Sequence, residues 1–150
     1  MEVPSHVLVT FGIIIAVALI VGVAYNQLGG MTRLVQNKTI ELVFFRVQSA
    51  VYDAVAEASR TQGNCSRRIF LTSEIQIRIE PSHQFGSGNL GPAIEIQGYS
   101  IERIFKLPTQ PFGSVMIEYQ PSFARGEIIV IDVRFRPREP ELFEVYIHNP

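Results

Sequence analysis

Residues 3–32 carry no Asp, Glu, Lys or Arg, and within them residues 7–25 are apolar except for Thr10 and two glycines. A helix of about 20 apolar residues can span a hydrocarbon core roughly 30 Å thick. The core helix of a small soluble domain has a polar face, and this segment has none. The segment therefore belongs either in a membrane or against copies of itself in a dry assembly.

The apolar run also differs from a secretory signal peptide. It is longer than the usual apolar core of about 7–15 residues, and no Lys or Arg precedes it. We therefore expect the segment to stay in the mature protein. Because Arg33, Lys38 and Arg46 follow it, the positive-inside rule places the following region in the cytoplasm. That inference fails if Met1 is a processed terminus from which a basic leader was removed.

A second helical pattern follows Gly29 and Gly30, which predict a break, kink or soft joint. Apolar residues recur with a period near 3.6 over residues 40–58, and polar residues fall on the opposite side. Gly63 is the predicted C-terminal stop. The apolar stripe consists of Ile40, Val43, Phe44, Val47, Val51, Ala54, Val55 and Ala58. Leu42, Phe45 and Tyr52 lie off this stripe, and either form a second contact surface or are covered by a loop or by the rest of the chain.

The period of the apolar residues changes from 3.6 to 2 after residue 66, which is typical of antiparallel strands with one buried face. Turn signals at residues 86–89, 108–113, 121–126 and 137–140 separate the alternating segments. These segments are residues 74–80, 94–97, 114–120, 129–136 and 143–148, with a further strand expected over residues 99–107.

The predicted fold class is therefore α+β: a long N-terminal helix, apolar and then amphipathic, followed by an all-β antiparallel, sandwich-like head of about six strands. The predicted segments are residues 1–30 for the membrane-spanning or filament-core helix, 31–63 for the amphipathic helix and 64–150 for the β-rich head. Since the head alone has a thin core, we expect the apolar stripe of the second helix to pack against it.

No residue pattern points to catalysis, a metal or a cofactor. His6, His83 and His148 are not at metal-ligand spacing from one another or from the single cysteine, Cys65. No nucleophile elbow, phosphate-binding loop or dinucleotide fingerprint occurs. We therefore predict that the protein is not an enzyme and has no cofactor. A formal charge of −1 argues against nucleic-acid binding.

The carboxylates of the head alternate with arginines along the strands, and cross-strand ion pairs on an exposed face explain them. The acids are Glu74, Glu80, Glu95, Glu102, Glu118 and Asp132, and the arginines are Arg78, Arg103, Arg134 and Arg136.

The candidate functional residues are accordingly structural. Small residues four apart in the apolar helix allow close approach of helices in a dry medium. The predicted helix-packing residues are Phe11, Gly12, Ile15, Ala16, Leu19, Gly22 and Val23. The predicted residues for docking the head and contacting neighbouring subunits are Ile40, Val43, Phe44, Val47, Val51 and Val55. Asn64 and Asn37 begin N-x-[S/T] triplets and are candidate glycosylation sites.

This three-part plan resembles the type IV pilin and archaellin superfamily, especially its archaeal members, over residues 7–28, 32–60 and 67–150. In that family the apolar helix is a membrane anchor before assembly and the dry core of a filament afterwards. Position 5 is Ser5 rather than the glutamate of bacterial pilins, and Pro4 is unusual so near the start. The head is also not rich in Ser and Thr, and this favours an accessory or minor member, such as an archaellum anchor protein or a pseudopilin.

The resemblance implies a structural subunit or accessory component of a cell-surface filament. Its partners would be copies of itself or related pilin-like subunits, with membrane lipid around the helix before assembly. Two alternatives stay open: a non-polymerising single-span protein whose β domain is a scaffold or binding module, and a membrane-tethered enzyme or ligand-binding domain. The last requires a polar pocket, and the sequence identifies none.

Overall fold

The computed structural model of the chain describes residues 5–86 and 88–150, apart from the side chains of residues 5–9, 11, 72 and 73. It confirms the predicted α+β fold class: one long N-terminal helix is followed by six strands. The elements are α1 (Ser5–Thr61), β1 (Cys65–Phe85), β2 (Asn89–Gly98), β3 (Ile101–Lys106), β4 (Met116–Tyr119), β5 (Ser122–Phe135) and β6 (Leu142–His148).

Helix α1 is continuous over 57 residues, so the break predicted at Gly29 and Gly30 is wrong. Two glycines weaken a helix by about 2 kcal/mol in total relative to alanine. Starting a second helix would require a new and unfavourable nucleus. The hydroxyl of Thr32 adds a bond to the carbonyl oxygen of Leu28 at 2.9 Å across this region. The helix therefore continues through the glycine pair.

The C-terminus of α1 lies close to its predicted position, but its geometry differs from the prediction. Gln62, not Gly63, takes the left-handed conformation, with a φ of 49°. The amide of Gly63 then donates to the carbonyl of Ala58 at 3.2 Å. This six-to-one bond is the Schellman arrangement, which satisfies a free carbonyl group at the helix end.

All six strands of the described chain belong to one sheet, in the order β3-β2-β1-β5-β6-β4. Four neighbouring pairs are antiparallel, and β4 runs parallel to β6. The period-2 pattern that predicted the strands carries no information about direction, so the parallel pair was not foreseen. Strands β3 and β4 are the two edges of the sheet.

Three of the four predicted turns lie between strands, and the fourth is wrong. Residues 121–126 had been assigned to a turn, whereas β5 begins at Ser122. The hydroxyl of Ser122 donates to the carbonyl oxygen of Gln120 at 3.0 Å and accepts the amide of Ile147 at 3.2 Å. These two bonds hold the start of β5 beside β6. Gly126 takes a φ of 144° where the pairing of β1 and β5 shifts register.

The core lies between the stripe of α1 and the inner face of the sheet. All eight stripe residues of α1 are at most 8 % exposed. No charged side chain is buried among the described residues. Each large apolar side chain removed from water contributes roughly 1.5–3 kcal/mol, so this one interface dominates the stability of the fold. Its sheet side is formed by Ile69, Leu71, Ile75, Ile77, Ile79, Ile94, Ile96, Ile129, Ile131, Val133, Phe143, Val145 and Ile147.

The chain divides into two units, Met1–Lys38 and Thr39–Pro150. The second unit contains the stripe of α1 and the whole sheet. The first contains the apolar part of the helix, which is long and apolar enough to cross a membrane. The three-segment division at residues 30/31 and 63/64 stays a prediction.

Gly98 allows the closest approach of the helix to the sheet, and its substitution gives a direct test of this packing. A Cβ atom at Gly98 would lie 3.3 Å from Cγ1 of Ile75 and 3.4 Å from Cδ1 of Ile40. We expect Gly98→Val to destabilise the protein by about 1–3 kcal/mol, because the larger side chain overpacks this contact. Urea unfolding of the full chain in mild detergent, followed by circular dichroism, measures the change.

Gly91→Val is the matched control in the same strand. A Cβ atom at Gly91 meets only Cε of Lys106, at an ordinary 3.6 Å. This variant should have a free energy of unfolding close to that of the parent. Equal stability of the two variants would contradict the assigned packing.

Candidate functional surfaces

The apolar surface of α1 in the first unit is exposed on every side. Its large side chains between Ile13 and Val23 range from 52 % exposed for Ile15 to 69 % exposed for Ile20. They occupy nearly every position of the segment, so they cover the whole circumference of the helix. Nothing within the unit removes this surface from water. A soluble monomer rarely exposes so large an apolar patch, which marks a surface that contacts a membrane or another protein.

The predicted helix-packing residues lie on this surface. Gly12, Ile15, Ala16, Leu19, Gly22 and Val23 are all exposed, and the side chain of Phe11 lies outside the described residues. A Cβ atom added at Gly12 or Gly22 would meet nothing within 4 Å. No packing within the described part of the first unit therefore explains why these two positions are small. Their part in helix packing stays a prediction.

The six residues predicted to dock the head all lie in the core of the second unit: Ile40, Val43, Phe44, Val47, Val51 and Val55. The ring of Phe44 stacks on that of Phe105 in β3, with centroids 4.3 Å apart. Near it, the guanidinium of Arg103 donates to the carboxylate of Glu41 at 3.0 Å. Since the six side chains are at most 8 % exposed, they are not accessible to a neighbouring subunit, and contact of this part of the helix with other subunits stays a prediction.

The flank of this part of the helix contains an exposed apolar groove between α1 and β1. Leu42, Phe45 and Phe70 are 67 %, 60 % and 65 % exposed, and the groove that they line has a volume of about 610 Å³. Its remaining lining is mixed, because Arg46, Ser49, Asp53 and Arg68 border it together with Ala50 and Ile69. Arg46 fixes one wall, because its Nη1 donates to the carbonyl oxygen of Phe70 at 2.9 Å. Sequence reasoning missed Phe70, although a phenylalanine at an outward position of an alternating strand was the available signal.

Tyr52, the third residue off the stripe, is covered rather than exposed. Its ring meets that of Phe112 edge-on, with centroids 5.3 Å apart. The amide of Gln48 donates to its hydroxyl at 2.9 Å. Each of the two alternatives therefore holds for some of the off-stripe residues. A loop covers Tyr52, while Leu42 and Phe45 form an exposed apolar surface.

Several charged side chains on and beside the sheet are paired with one another. Arg136 lies 3.7 Å from Glu118 and 3.8 Å from Glu139, and it also bonds Glu144. The hydrogen bond to Glu144 raises the pKa of the Arg136 guanidinium. Arg78 and Glu95 face each other across β1 and β2 at 3.6 Å.

Asp132 lies between Ser66 and His148, in an arrangement that differs from a catalytic triad. In a triad the histidine lies between the nucleophile and the carboxylate. Here Nε2 of His148 bonds Asp132 Oδ2 at 2.8 Å, and Ser66 bonds the same carboxylate. Burial alone would raise the pKa of Asp132, but the bonds from Ser66 and His148 outweigh it and lower that pKa.

The pKa of His148 is raised for a clear geometric reason. Nδ1 lies 2.6 Å from the carbonyl oxygen of Asn149, and Nε2 faces the Asp132 carboxylate. Both partners only accept hydrogen bonds, so the imidazolium form, with two N–H donors, satisfies both at once. The Asn149 carbonyl and then the Asp132 carboxylate raise the pKa of His148 above its usual value of 6.5.

Cys65 is a half-buried thiol with little nucleophilic character. Burial, and then the neighbouring carboxylate of Glu57, raise its pKa. The Sγ atom lies 3.6 Å from Oε2 of Glu57, which also pairs with Arg67. Because the thiolate is the reactive form, this environment keeps the sulfur unreactive near neutral pH.

Among the described side chains, no group of three His, Cys, Asp or Glu residues is placed so that it could bind a metal ion. His83 pairs with Glu80 at 2.9 Å instead, and the side chain of His6 lies outside the described residues.

The two candidate glycosylation residues differ in their surroundings. Asn64 is exposed, and its Oδ1 accepts the amide of Phe135 at 3.1 Å, so its side chain joins the end of α1 to the end of β5. Asn37 lies within α1 and is partly exposed. Glycosylation of either residue stays a prediction.

Comparison of the chain with models of protein families, with curated proteins and with solved structures finds no match. The resemblance to pilins therefore depends on the order and character of the segments alone.

The pair of Asp132 and His148 gives a prediction for pH dependence. We expect Asp132→Asn to lower the pKa of His148, because the substitution removes an anionic acceptor. The imidazole proton chemical shifts of the full chain in detergent micelles, assigned with a His148→Gln variant, measure this pKa in both proteins. An unchanged pKa would contradict the pairing.

The same pair has a defined effect on stability. A histidine whose pKa is higher in the folded protein than in the unfolded chain stabilises the fold. This stabilisation is complete at pH values below the pKa of the unfolded chain, near 6.5, and it disappears as the pH rises through the pKa of the folded protein. Both groups are partly exposed, so the contribution is below about 1 kcal/mol. Asp132→Asn should therefore cost more stability at pH 5.5 than at pH 8.

Proposed function

We propose that this protein is a structural subunit or accessory component of a pilin-like cell-surface filament. Its N-terminal helix would lie in the membrane before assembly and in the dry core of the polymer afterwards. Its partners would be copies of itself or related subunits. In this proposal the β sheet and the stripe of α1 form the folded head that each subunit carries.

The observation that carries the proposal is the apolar surface of α1, which is exposed around its whole circumference between Ile13 and Val23. Membrane lipid and a bundle of like helices are both free of water, so the same side chains suit both surroundings. The glycines at positions 12 and 22 support a bundle in particular, because small residues let helix backbones approach closely.

The groove lined by Leu42, Phe45 and Phe70 supports contacts beyond the apolar helix. A protein that is only anchored in a membrane has no need for a second exposed apolar surface on its folded unit. A polymerising subunit does need a second surface, because each copy must pack against several neighbouring copies. The ion-paired surface described above fits this role, because contacts between subunits need complementary shape and charge and no reactive group.

Localisation of the chain tests the proposal against a permanent membrane anchor. Filaments sheared from cells would be probed with an antibody to this chain in negative-stain electron microscopy. Labelling along filaments is the expected result. Recovery of the chain only in the membrane pellet would contradict polymerisation and favour a single-span scaffold or binding protein.

Two substitutions in α1 separate assembly from membrane anchoring. Gly12→Ile keeps the segment apolar, so we expect membrane insertion to persist while filaments are lost through steric blocking of helix packing. Ile15→Asp should impair both, because an aspartate at the centre of a span costs about 2.5–3.5 kcal/mol. Membrane fractionation and microscopy of the sheared material measure the two outcomes.

Val17→Ile is the control, since it enlarges a side chain that is already large and apolar. This variant should insert and assemble like the parent. Normal filaments from both Gly12→Ile and Ile15→Asp would contradict the proposed role of the helix.

A further inference from the structure

Strand β3 is an edge of the sheet whose outward hydrogen-bonding groups can be identified. The amide of Leu107 donates to the carbonyl of Pro92 at 2.9 Å, so this pair is of the hydrogen-bonded kind. The register between β2 and β3 runs without a shift from Ala93 to Gly98. Since hydrogen-bonded and non-bonded pairs alternate in an antiparallel ladder, Glu102, Ile104 and Lys106 direct their backbone groups away from β2.

The same three residues place their side chains on the solvent face. Glu102, Ile104 and Lys106 are exposed, whereas Arg103 and Phe105 turn toward Glu41 and Phe44 of α1. The edge therefore presents one acidic, one apolar and one basic side chain in order. No strand of the described chain lies beside it.

This order is self-complementary when the strand meets its own copy antiparallel. With Ile104 opposite Ile104 of the second copy, Glu102 faces Lys106 of the second copy and Lys106 faces its Glu102. Opposite charges directly across two strands are stabilising, and like charges are destabilising. A register centred on Glu102 or on Lys106 would place like charges together.

The ends of the strand shorten the neighbouring registers, those centred on Arg103 and on Phe105, by one residue pair at each end. Tyr99 and Ser100 form the turn from β2 with φ values of 55° and 62°, so neither residue is extended. Pro108, after the other end, has no amide hydrogen to donate. Pairing is thus confined to residues 101–106, and only the register centred on Ile104 matches the charges.

From this arrangement we infer that two copies of the protein join through their β3 edges, antiparallel about Ile104, into one continuous sheet. Charged edge strands usually prevent pairing between chains. Here the charges favour the register centred on Ile104, the one register that pairs all three outward-directed residues and sets Glu102 opposite Lys106 twice, so the strand suits the same strand of a second copy.

The seam also repeats a contact that exists within each chain. Arg103 lies over the ring of Phe105, with 5.6 Å from its Cζ to the ring centroid. In the symmetric register, Arg103 lies opposite Phe105 of the second copy as a close, non-hydrogen-bonded pair. A guanidinium beside an aromatic ring is an attractive arrangement.

The contact is small and should be weak between free molecules. Three hydrogen-bonded residue pairs give about six backbone hydrogen bonds, and the net contribution of each is small because both groups also bond to water when apart. Association itself costs the translational and rotational freedom of both molecules. The contact therefore needs the high local concentration of a shared membrane or micelle. It involves the second unit alone and does not depend on the proposed filament.

Cysteine cross-linking of the full chain in mild detergent tests the inference. In a Cys65→Ser background, Ile104→Cys places two thiols opposite each other, at a Cα separation near 5.5 Å that suits a disulfide. Ser100→Cys is the matched control, because this exposed residue lies outside the paired strand and its two copies would lie eight positions apart, ~27 Å along the strands. We expect oxidised dimers at least fivefold more abundant for Ile104→Cys, measured on non-reducing gels.

Equal cross-linking of the two variants would show random collision and overturn the inference, as would a lack of cross-linking at Ile104→Cys. Circular dichroism before oxidation shows whether each variant is folded. Normal cross-linking in a Gly12→Ile chain that forms no filaments separates this contact from the proposed filament assembly.

Exchanging the charges at positions 102 and 106 is an independent test, in which disulfide formation at Ile104→Cys is again measured. Glu102→Lys and Lys106→Glu should each reduce dimers severalfold, because like charges then meet across the seam. The double exchange Glu102→Lys/Lys106→Glu should restore them, and so should mixing the two single variants. Failure of both restorations would overturn the assigned register.

Discussion

The packing of the α1 stripe against the isoleucine-rich inner face of the sheet is the contact on which the rest of the folded unit depends. It buries the apolar side of every strand and leaves the described core without a charged side chain. Ion pairs mark two places where it meets solvent: Arg103 with Glu41, and Arg67 with Glu57. The buried hydroxyl of Tyr119 donates to the carbonyl oxygen of Pro108 at 3.1 Å, while the charged side chains of the described head lie on or near the surface.

The two units use apolar surface in opposite ways. The stripe over Ile40 to Ala58 is covered within its own chain, while the segment from Ile13 to Val23 is not covered by anything in its unit. Apolar burial stabilises the first without a partner, whereas the second needs lipid or other chains to remove it from water. The proposed filament role depends on this second surface.

The two proposed contacts between copies differ in symmetry. The β3 contact is isologous: the same residues meet from both sides, so it closes after two copies. Packing of apolar helices in a filament is heterologous and can continue without limit. If both operate, the helices build a polymer or hold the chain in a membrane, while the β3 edges join copies in pairs across neighbouring heads.

The sequence by itself determined the apolar segment, because it is an uninterrupted apolar run, and the stripe of the second half of the helix and the number of strands, because these depend on a local period of 3.6 or 2. It could not determine that Gly29 and Gly30 stay helical, that β5 begins inside a predicted turn, or that β4 runs parallel to β6. Only the tertiary structure decided that β3 is an edge, that Phe70 borders a groove and that Asp132 lies between Ser66 and His148. These features depend on which distant strands pair, and that choice depends on the summed packing of the whole unit rather than on neighbouring residues.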